Sequence, residues 1–264
     1  MNFKIGIFDS GIGGFTILKS LLKKRRDVEV FYLADTKRIP FGNKNYKEIR
    51  FIAKEICDFF KDKKLDALLI ACNTTNACAL DILENNLKIP CFDLINSVSE
   101  IVNKKIIGVL ATHATVNSSY YKNALSSKKE NLKIFQQECP EFVSEIEKEN
   151  INFIKLNYLS DLYLKPLLNK NIEELILGCS HYPLIYDFLR KKIDSNIKII
   201  DPSKALIKKF NKSFAIPKTD QYEPISYENV KFYVTSEKDQ FSRKVKNWLQ
   251  INKEINLVNL RSNV

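Results

Sequence analysis

The 264-residue chain contains little glycine, methionine, tryptophan or histidine: seven, one, one and two residues, respectively. Glycine makes up about 7% of an average protein, so we expect these few at positions where a side chain would not fit. No apolar run approaches the roughly 18–20 residues of a membrane-spanning helix, which excludes a spanning protein. The N-terminus reaches a charged residue and a glycine cluster at once, so no signal peptide is expected.

Six cysteines in a chain without an expected export signal indicate reduced thiols rather than a disulfide scaffold, and hence a cytoplasmic protein. A metal site is not predicted. Neither Cys179-x-His181 nor Cys72-x5-Cys78 has the spacing of zinc ligands, and only two histidines are available.

The chain is basic, with 42 Lys and Arg against 31 Asp and Glu and a net charge of +11. The densest basic runs, at 23–26, 61–64 and 190–192, lie on stretches predicted to be exposed helix. We interpret this diffuse charge as a solvated surface, and expect neither a specific nucleic-acid partner nor a membrane partner. The 45% apolar content and the length suffice for one large or two small packed domains.

Short apolar runs alternate with longer amphipathic stretches, which is typical of an α/β fold with largely parallel sheets. The predicted strands are Lys4–Phe8, Val28–Leu33, Ala67–Ala71, Cys91–Leu94, Ile106–Leu110, Leu175–Gly178, Ile197–Ile200 and Lys231–Val234. The predicted helices are Phe15–Lys24, Lys47–Lys61, Thr75–Asn85, Ser118–Ser126, Ser160–Asn169, Pro183–Lys192, Ser203–Lys212 and Asp239–Gln250.

The sequence contains an internal repeat. Residues 5–10 resemble 107–112, residues 68–74 resemble 175–181, and residues 89–93 resemble 197–201, in the same order and at offsets of 102, 107 and 108. Such matches predict two related α/β halves. We place the first half at residues 1–97 together with 213–264, and the second at residues 98–212.

Four polar segments follow predicted strands, where ligands collect in open parallel sheets. They are residues 9–14, 34–42, 72–75 and 179–183. The glycines of the first segment do not form G-x-G-x-x-G, and no P-loop lysine follows them. They would still allow backbone N–H groups to face a small anion, such as a carboxylate, at a helix N-terminus.

Cys72 and Cys179 occupy matching positions of the repeat, each directly before polar residues and a predicted helix. The positive end of a helix dipole is expected to lower a thiol pKa. A single such cysteine is usually a packing residue, and a Cys–His nucleophile pair is another alternative. Two matched thiols, however, suit inversion of a stereocentre, which needs a base on one face of a carbon and an acid on the other. Candidate donors for the carbanion are Ser10, Asn73, Thr74 and Ser180, and the nearest ionisable groups are Asp9 and His181.

Four stretches resemble the cofactor-independent aspartate/glutamate racemase superfamily, and glutamate racemases in particular. They are residues 8–16, 34–42, 71–74 and 177–184, with weaker matches at 139–143, 163–167 and 232–235. The resemblance implies two similar parallel-sheet domains related by a pseudo-twofold axis, with the active site in the cleft between them. It also implies interconversion of L- and D-glutamate for peptidoglycan synthesis, no cofactor, and a homodimer.

The resemblance further implies roles for individual residues. The proton-transfer residues would be Cys72 and Cys179, assisted by Asp9, His181 and Glu147. The residues that hold the amino acid would be Asp9, Ser10, Pro40, Phe41, Gly42, Asn73, Thr74, Ser180 and His181. Phe41 stands where the family usually has tyrosine, which implies that a hydroxyl is missing near the substrate.

Two alternatives remain open. One is another enzyme of the superfamily, such as an aspartate or hydantoin racemase or a one-cysteine decarboxylase, although the presence of both cysteines argues against the decarboxylase. The other is a basic, catalytically silent protein that binds nucleic acid or anions. Salt-dependent retention on DNA without amino-acid turnover would identify the second alternative.

Overall fold

The computed structural model describes residues 3–214 and 224–260, in which every strand belongs to one of two all-parallel sheets. The first sheet has six strands in the order β10-β9-β2-β1-β3-β4, and the second has four in the order β6-β5-β7-β8. The strands are β1 (Phe3–Asp9), β2 (Val28–Ala34), β3 (Ala67–Ile70), β4 (Cys91–Asp93), β5 (Ile106–Ala111), β6 (Lys133–Glu138), β7 (Glu174–Gly178), β8 (Lys198–Ile200), β9 (Val230–Val234) and β10 (Ile255–Leu257).

The sequence predicted eight of these strands and missed β6 and β10. Both missed strands lie at the edge of a sheet, where a strand pairs on one side only. Strand β6 reads Lys-Ile-Phe-Gln-Gln-Glu, and none of its residues is fully buried. An edge strand need not be a continuous apolar run, so hydrophobicity alone does not identify it.

The internal repeat is confirmed by the strand order. Strands β2-β1-β3-β4 of the first sheet correspond to β6-β5-β7-β8 of the second. The three sequence matches fall on the pairs β1 and β5, β3 and β7, and β4 and β8. Two similar parallel α/β halves are therefore present, with β9 and β10 added to the first sheet.

Eleven helices connect and cover the described strands. They are α1 (Phe15–Leu22), α2 (Tyr46–Lys61), α3 (Asn73–Leu87), α4 (Leu94–Ser99), α5 (His113–Asn117), α6 (Tyr120–Ser126), α7 (Phe142–Ile146), α8 (Phe153–Leu168), α9 (Tyr186–Arg190), α10 (Pro202–Ser213) and α11 (Lys238–Leu249). The helix predicted at Pro183–Lys192 is instead a 3₁₀ turn, Tyr182–Ile185, followed by the short α9.

A shared hydrophobic cluster joins the two halves. It contains Phe8 and Ile70 of the first sheet together with Ile107, Val109 and Ile176 of the second. Burial of apolar surface common to both sheets holds the carboxyl ends of their strands close to one another.

The division of the chain at 97/98 and 212/213 stays a prediction, and residues 1–2, 215–223 and 261–264 of the predicted first half lie outside the described residues. Leu206, Ile207 and Phe210 of α10 are buried in a cluster with Ile5 and Val30 of the first sheet. Helix α10 therefore packs on the first sheet, although it follows the last strand of the second.

Candidate active site

The two sulfurs lie at equivalent strand ends in the interior of the molecule. Cys72 follows β3 and caps the N-terminus of α3, and Cys179 directly follows β7. Asp9 ends β1, the strand next to β3. All three side chains are buried.

Cys72 is held as a thiol by its surroundings. Burial and, to a lesser extent, the nearby carboxylate of Asp9 raise its pKa to about 12, although hydrogen bonding with Thr75 acts in the opposite direction. The helix N-terminus was expected to lower the pKa of Cys72, but this effect is outweighed. Desolvation of the buried thiolate costs more free energy than its interaction with the helix dipole provides. The charge of a thiolate at Cys179 is a further, smaller cause of the raised pKa of Cys72.

Asp9 connects the two halves. Its Oδ2 accepts hydrogen bonds from the backbone N–H groups of Gly14 and Gly11, at 2.9 and 3.4 Å, and its Oδ1 accepts the hydroxyl of Ser180 at 3.0 Å. Burial raises the pKa of Asp9, and these hydrogen bonds and the charge of His181 oppose that rise. The glycine segment thus directs N–H groups at an anion as the sequence predicted, but that anion is the protein's own carboxylate.

A chain of hydrogen-bonded groups leads away from Cys179. Its Sγ lies 3.8 Å from Nδ1 of His181, and Nε2 of His181 lies 2.6 Å from Oε1 of Glu147. Burial acts to lower the His181 pKa, but the contacts with Cys179 and Glu147 outweigh it and raise the pKa well above its usual value. Contacts with His181 and, less strongly, with Lys244 hold the pKa of Glu147 at about 2, despite its burial.

Glu147 of the second half is therefore brought together with His181. The residue follows α7 in the second half. Its Oε1 also accepts the backbone N–H of Ile12, at 2.9 Å, from the glycine segment of the first half.

Hydroxyl and amide groups complete the interface between the halves. The Oγ1 atoms of Thr74 and Thr112 are 3.0 Å apart, and the hydroxyl of Tyr121 donates to Oδ1 of Asn73 at 2.7 Å. A Cβ added to Gly42 would lie 2.5 Å from Cβ of Thr112, so a glycine is needed for this close approach.

The remaining predicted binding residues come after strands β1 and β2 of the first sheet. Ser10 is buried directly after β1, and Pro40 is partly exposed before a 3₁₀ turn at Phe41–Asn43. Phe41 is buried in the shared core, where its ring centroid is 6.1 Å from that of Phe8. The residue that replaces the family's usual tyrosine, Phe41, therefore has its ring in the apolar core of this protein.

Three residues of the interface were missed by the sequence analysis. Thr112 occupies the position of the repeat that matches Ser10, a signal that was available. Lys244 is a charged residue on the otherwise apolar face of α11, which is a weaker signal. Tyr121 had no signal, because it is one of two adjacent tyrosines in a short helix.

Two buried thiols with different partners lie close enough for the charge of Cys179 to act on Cys72. A cavity lined by Asn73, Leu94, Cys179 and Ser180, among others, reaches the interface but is too narrow for a water molecule. Among residues 3–214 and 224–260, no group of three or more His, Cys, Asp or Glu side chains is placed to hold a metal ion. The chemistry that these groups support is proton transfer between sulfur and carbon.

Comparison with known proteins relates the chain to amino-acid racemases. A family model described as Asp/Glu/Hydantoin racemase matches residues 16–210. Over 259 residues the chain is 48% identical to glutamate racemase from Prochlorococcus marinus strain NATL2A, covering 98% of this chain and 97% of that protein.

Solved structures agree over the same length. Glutamate racemase from Francisella tularensis subsp. tularensis SCHU S4, in complex with D-glutamate, is 35% identical with a TM-score of 0.86, and 99% of each chain is covered. A glutamate racemase isoform from Bacillus anthracis is 27% identical with a TM-score of 0.88, and 98% of each chain is covered. The similarity thus includes both sheets and all four polar segments.

Proposed function

The chain belongs to the glutamate racemase family, and from this premise we propose that Cys72 and Cys179 invert the α-carbon of glutamate by transferring protons on its opposite faces. Such a racemase interconverts L- and D-glutamate and supplies the D-enantiomer for peptidoglycan. The observation that carries the proposal is the pair of buried thiols at equivalent strand ends of the two halves, close enough that a charge on Cys179 affects Cys72.

In the proposed reaction, a thiolate on one face removes the α-proton, so that a C–H bond breaks and an S–H bond forms. The thiol on the other face then gives its proton to the carbanion, which breaks the second S–H bond and forms the inverted C–H bond. The roles exchange in the reverse direction. Because a thiolate at Cys179 raises the pKa of Cys72, ionisation of Cys179 favours the thiol form of Cys72, as this chemistry requires.

Asp9 and His181 are proposed to assist one sulfur each. Asp9 raises the pKa of Cys72 and favours its thiol form, whereas His181 contacts Cys179 and has a raised pKa that favours the imidazolium. A neighbouring imidazolium stabilises a thiolate. Glu147 is proposed to act on His181 through the 2.6 Å contact.

The substrate is proposed to lie between the polar segments of the two halves. Nδ2 of Asn73 is buried and has no hydrogen-bond partner in the described part of the chain, which leaves a donor for a carboxylate. The other proposed binding groups are Ser10, Pro40, Phe41, Gly42, Thr74, Ser180 and His181, with Asp9. The cavity beside Asn73 and Cys179 would have to widen to admit glutamate, because it is too narrow for a water molecule.

Replacement of either sulfur tests the proposal. We expect Cys72→Ala and Cys179→Ala each to lower racemisation by at least about 10³-fold, because one face then lacks its acid or base. Cys91→Ala, at the start of β4 and outside the site, is the matched control and should retain normal turnover. Optical rotation of D-glutamate without added cofactor provides the measurement. Near-normal turnover by either site variant would eliminate the two-thiol mechanism.

Isotope exchange gives an independent test. In deuterated solvent, thiols exchange their protons, so each inversion should introduce one deuterium at the α-carbon of the product. Nuclear magnetic resonance of the product measures this. Product that keeps the original α-hydrogen would rule out exchangeable sulfur acids.

Substrate choice is tested by offering D-glutamate and D-aspartate separately. Loss of optical rotation with glutamate alone is expected. Turnover of aspartate at a comparable rate would instead favour the broader superfamily activity.

The expected homodimer is proposed to form through an exposed face of α8. This face, at Phe153, Ile154, Tyr158 and Leu162, is apolar and exposed, and Ile154 is 86% accessible. Charges of both signs border it, with ion pairs between Lys155 and Glu141 and between Lys192 and Asp161. Such a border suits a second copy of a chain that carries +11 overall, because self-association of a uniformly basic face would be repulsive.

Light scattering after size-exclusion chromatography tests this face. We expect the unmodified chain to be a dimer and Ile154→Lys to be a monomer. The control Phe51→Lys, at an exposed position of α2, should remain a dimer. A dimer in Ile154→Lys at the same concentration would refute the proposed contact.

The compartment is proposed to be the cytoplasm, because the proposed chemistry needs reduced thiols. All six cysteines are free. No helix in the described residues has the length and apolarity that crossing a lipid bilayer requires.

A further inference from the structure

Lys244 is a buried cation that the reaction described above does not use. It lies on α11, whose buried residues Phe241, Val245 and Leu249 pack in the core of the first sheet. This packing directs the lysine inward, and its residue is only 8% exposed. An ammonium group so enclosed is costly unless an anion compensates it.

The compensating anion is Glu147. Nζ of Lys244 lies 2.7 Å from Oε2, while Oε1 accepts from Ile12 at 2.9 Å and lies 2.6 Å from Nε2 of His181. Both carboxylate oxygens are therefore occupied, by donors from both halves of the molecule. A carboxylate restrained on both oxygens has one orientation towards the imidazole.

We propose that Lys244 is a positioning residue for racemisation, which holds Glu147 against His181 and thereby sets the protonation of the imidazole that faces Cys179. This rests on the proposed roles of His181 and Cys179. Lys244 does not contact the reacting sulfur itself, so its effect reaches the chemistry through the carboxylate.

The charges that face His181 give the direction of the effect. Cys179 and Glu147 contact the imidazole, and the charge of Asp9 also acts on it. Lys244 shares the Glu147 carboxylate with the imidazolium. Removing the ammonium leaves that negative charge to His181 alone, which raises the pKa of His181 further and makes its proton harder to release.

Three substitutions separate this role from simple packing. Lys244→Met keeps the length of the side chain and removes the charge, Lys244→Arg keeps the charge, and Lys246→Met makes the same change at an exposed position of α11. We expect Lys244→Met to lower kcat/KM roughly 10- to 100-fold, the range for loss of a buried charge-assisted hydrogen bond. Lys244→Arg should recover most of the loss, and Lys246→Met should behave as the unmodified chain.

The two directions of the reaction provide an internal check. The equilibrium constant between enantiomers is unity, so kcat/KM must fall by the same factor for L- and D-glutamate.

In a Glu147→Gln background, Lys244→Met should have little further effect, because the carboxylate through which it acts is already absent. Additive losses in the double variant would overturn the proposal.

Histidine resonances measure the proposed cause without any turnover. The chain has only two histidines, and the exposed His113 is an internal reference for His181. In Lys244→Met the His181 titration should move up by roughly one pH unit, and in Lys244→Arg it should not move. An unchanged His181 titration would overturn the proposal. A shifted titration with unchanged kcat/KM would overturn it as well, and would locate the failure in the proposed role of His181.

Discussion

The two sulfurs are alike in the sequence repeat but differ in their ionisable neighbours. Cys72 lies near the carboxylate of Asp9, whereas Cys179 contacts the imidazole of His181. A negative neighbour favours the thiol and a positive neighbour favours the thiolate. The two sulfurs therefore lie in different surroundings, and those of Cys72 favour its thiol form.

Alkylation of Cys72 should report this charge effect directly. Since burial and then Asp9 raise the Cys72 pKa to about 12, its iodoacetamide labelling should be slow at pH 8 and rise steadily as the pH is raised. Asp9→Asn removes the negative charge and should speed labelling roughly three- to tenfold, the change that corresponds to about half to one pKa unit. Mass spectrometry of the labelled peptide measures the rate.

Asp161→Asn, at an exposed position of α8, is the control for that change. It should leave Cys72 labelling as in the unmodified chain. Equal labelling rates in Asp9→Asn and the control would contradict the assigned effect of Asp9.

At the scale of elements, the segment between β1 and α1 contacts the second half of the molecule at the site. Its backbone binds both Asp9 and Glu147, and Gly13 packs directly on Ser180. A Cβ added to Gly13 would lie 2.7 Å from the backbone carbonyl carbon of Ser180, which cannot move aside as a flexible side chain can. The scarcity of glycine elsewhere makes its retention here informative.

Gly13→Ala should therefore displace the two halves and lower kcat/KM roughly 10- to 100-fold, as misplacement of catalytic groups by about 1 Å does. Gly108→Ala is a matched control in β5, where the added Cβ meets only the side chains of Ile172 and Leu175. It should lower the unfolding temperature, at a cost of about 1–3 kcal/mol, with little effect on kcat/KM. If Gly13→Ala alters only the unfolding temperature, the segment does not position the site.

At the scale of the molecule, the two halves are joined by a shared apolar core and by polar contacts near the site. Glu147 is one of these polar groups, with donors from both halves. Its pKa of about 2 in the folded protein lies below the ordinary value of 4.5. Its ionised form therefore stabilises the fold above about pH 4.5, and that contribution is lost as the pH falls towards 2.

Acid unfolding should reveal this contribution. The free energy of unfolding of the unmodified chain should exceed that of Glu147→Gln at pH 7, and the difference should shrink by about 2 kcal/mol between pH 7 and pH 3. Urea titrations at each pH measure it. Glu130→Gln, at an exposed carboxylate, should show a pH-independent difference. A constant difference for Glu147→Gln would refute the link between this carboxylate and acid stability.

The sequence by itself determined the alternation of strands and helices, the two similar halves and the matched positions of Cys72 and Cys179. The alternation depends on the periodicity of apolar residues within short stretches. The two halves and the matched cysteines depend on motifs that recur at offsets of 102 to 108 residues. The edge strand β6 was not predicted, because a strand that pairs on one side only need not be a continuous run of apolar residues.

Only the tertiary structure decided the charge state of the site. Ser180 reaches Asp9 across 171 residues, and Lys244 reaches Glu147 across 97. No local pattern records such pairings, because they depend on how two sheets pack. The pKa of Cys72 shows the physical reason: the helix end visible in the sequence favours the thiolate, but burial, which exists only once the chain is folded, favours the thiol and prevails.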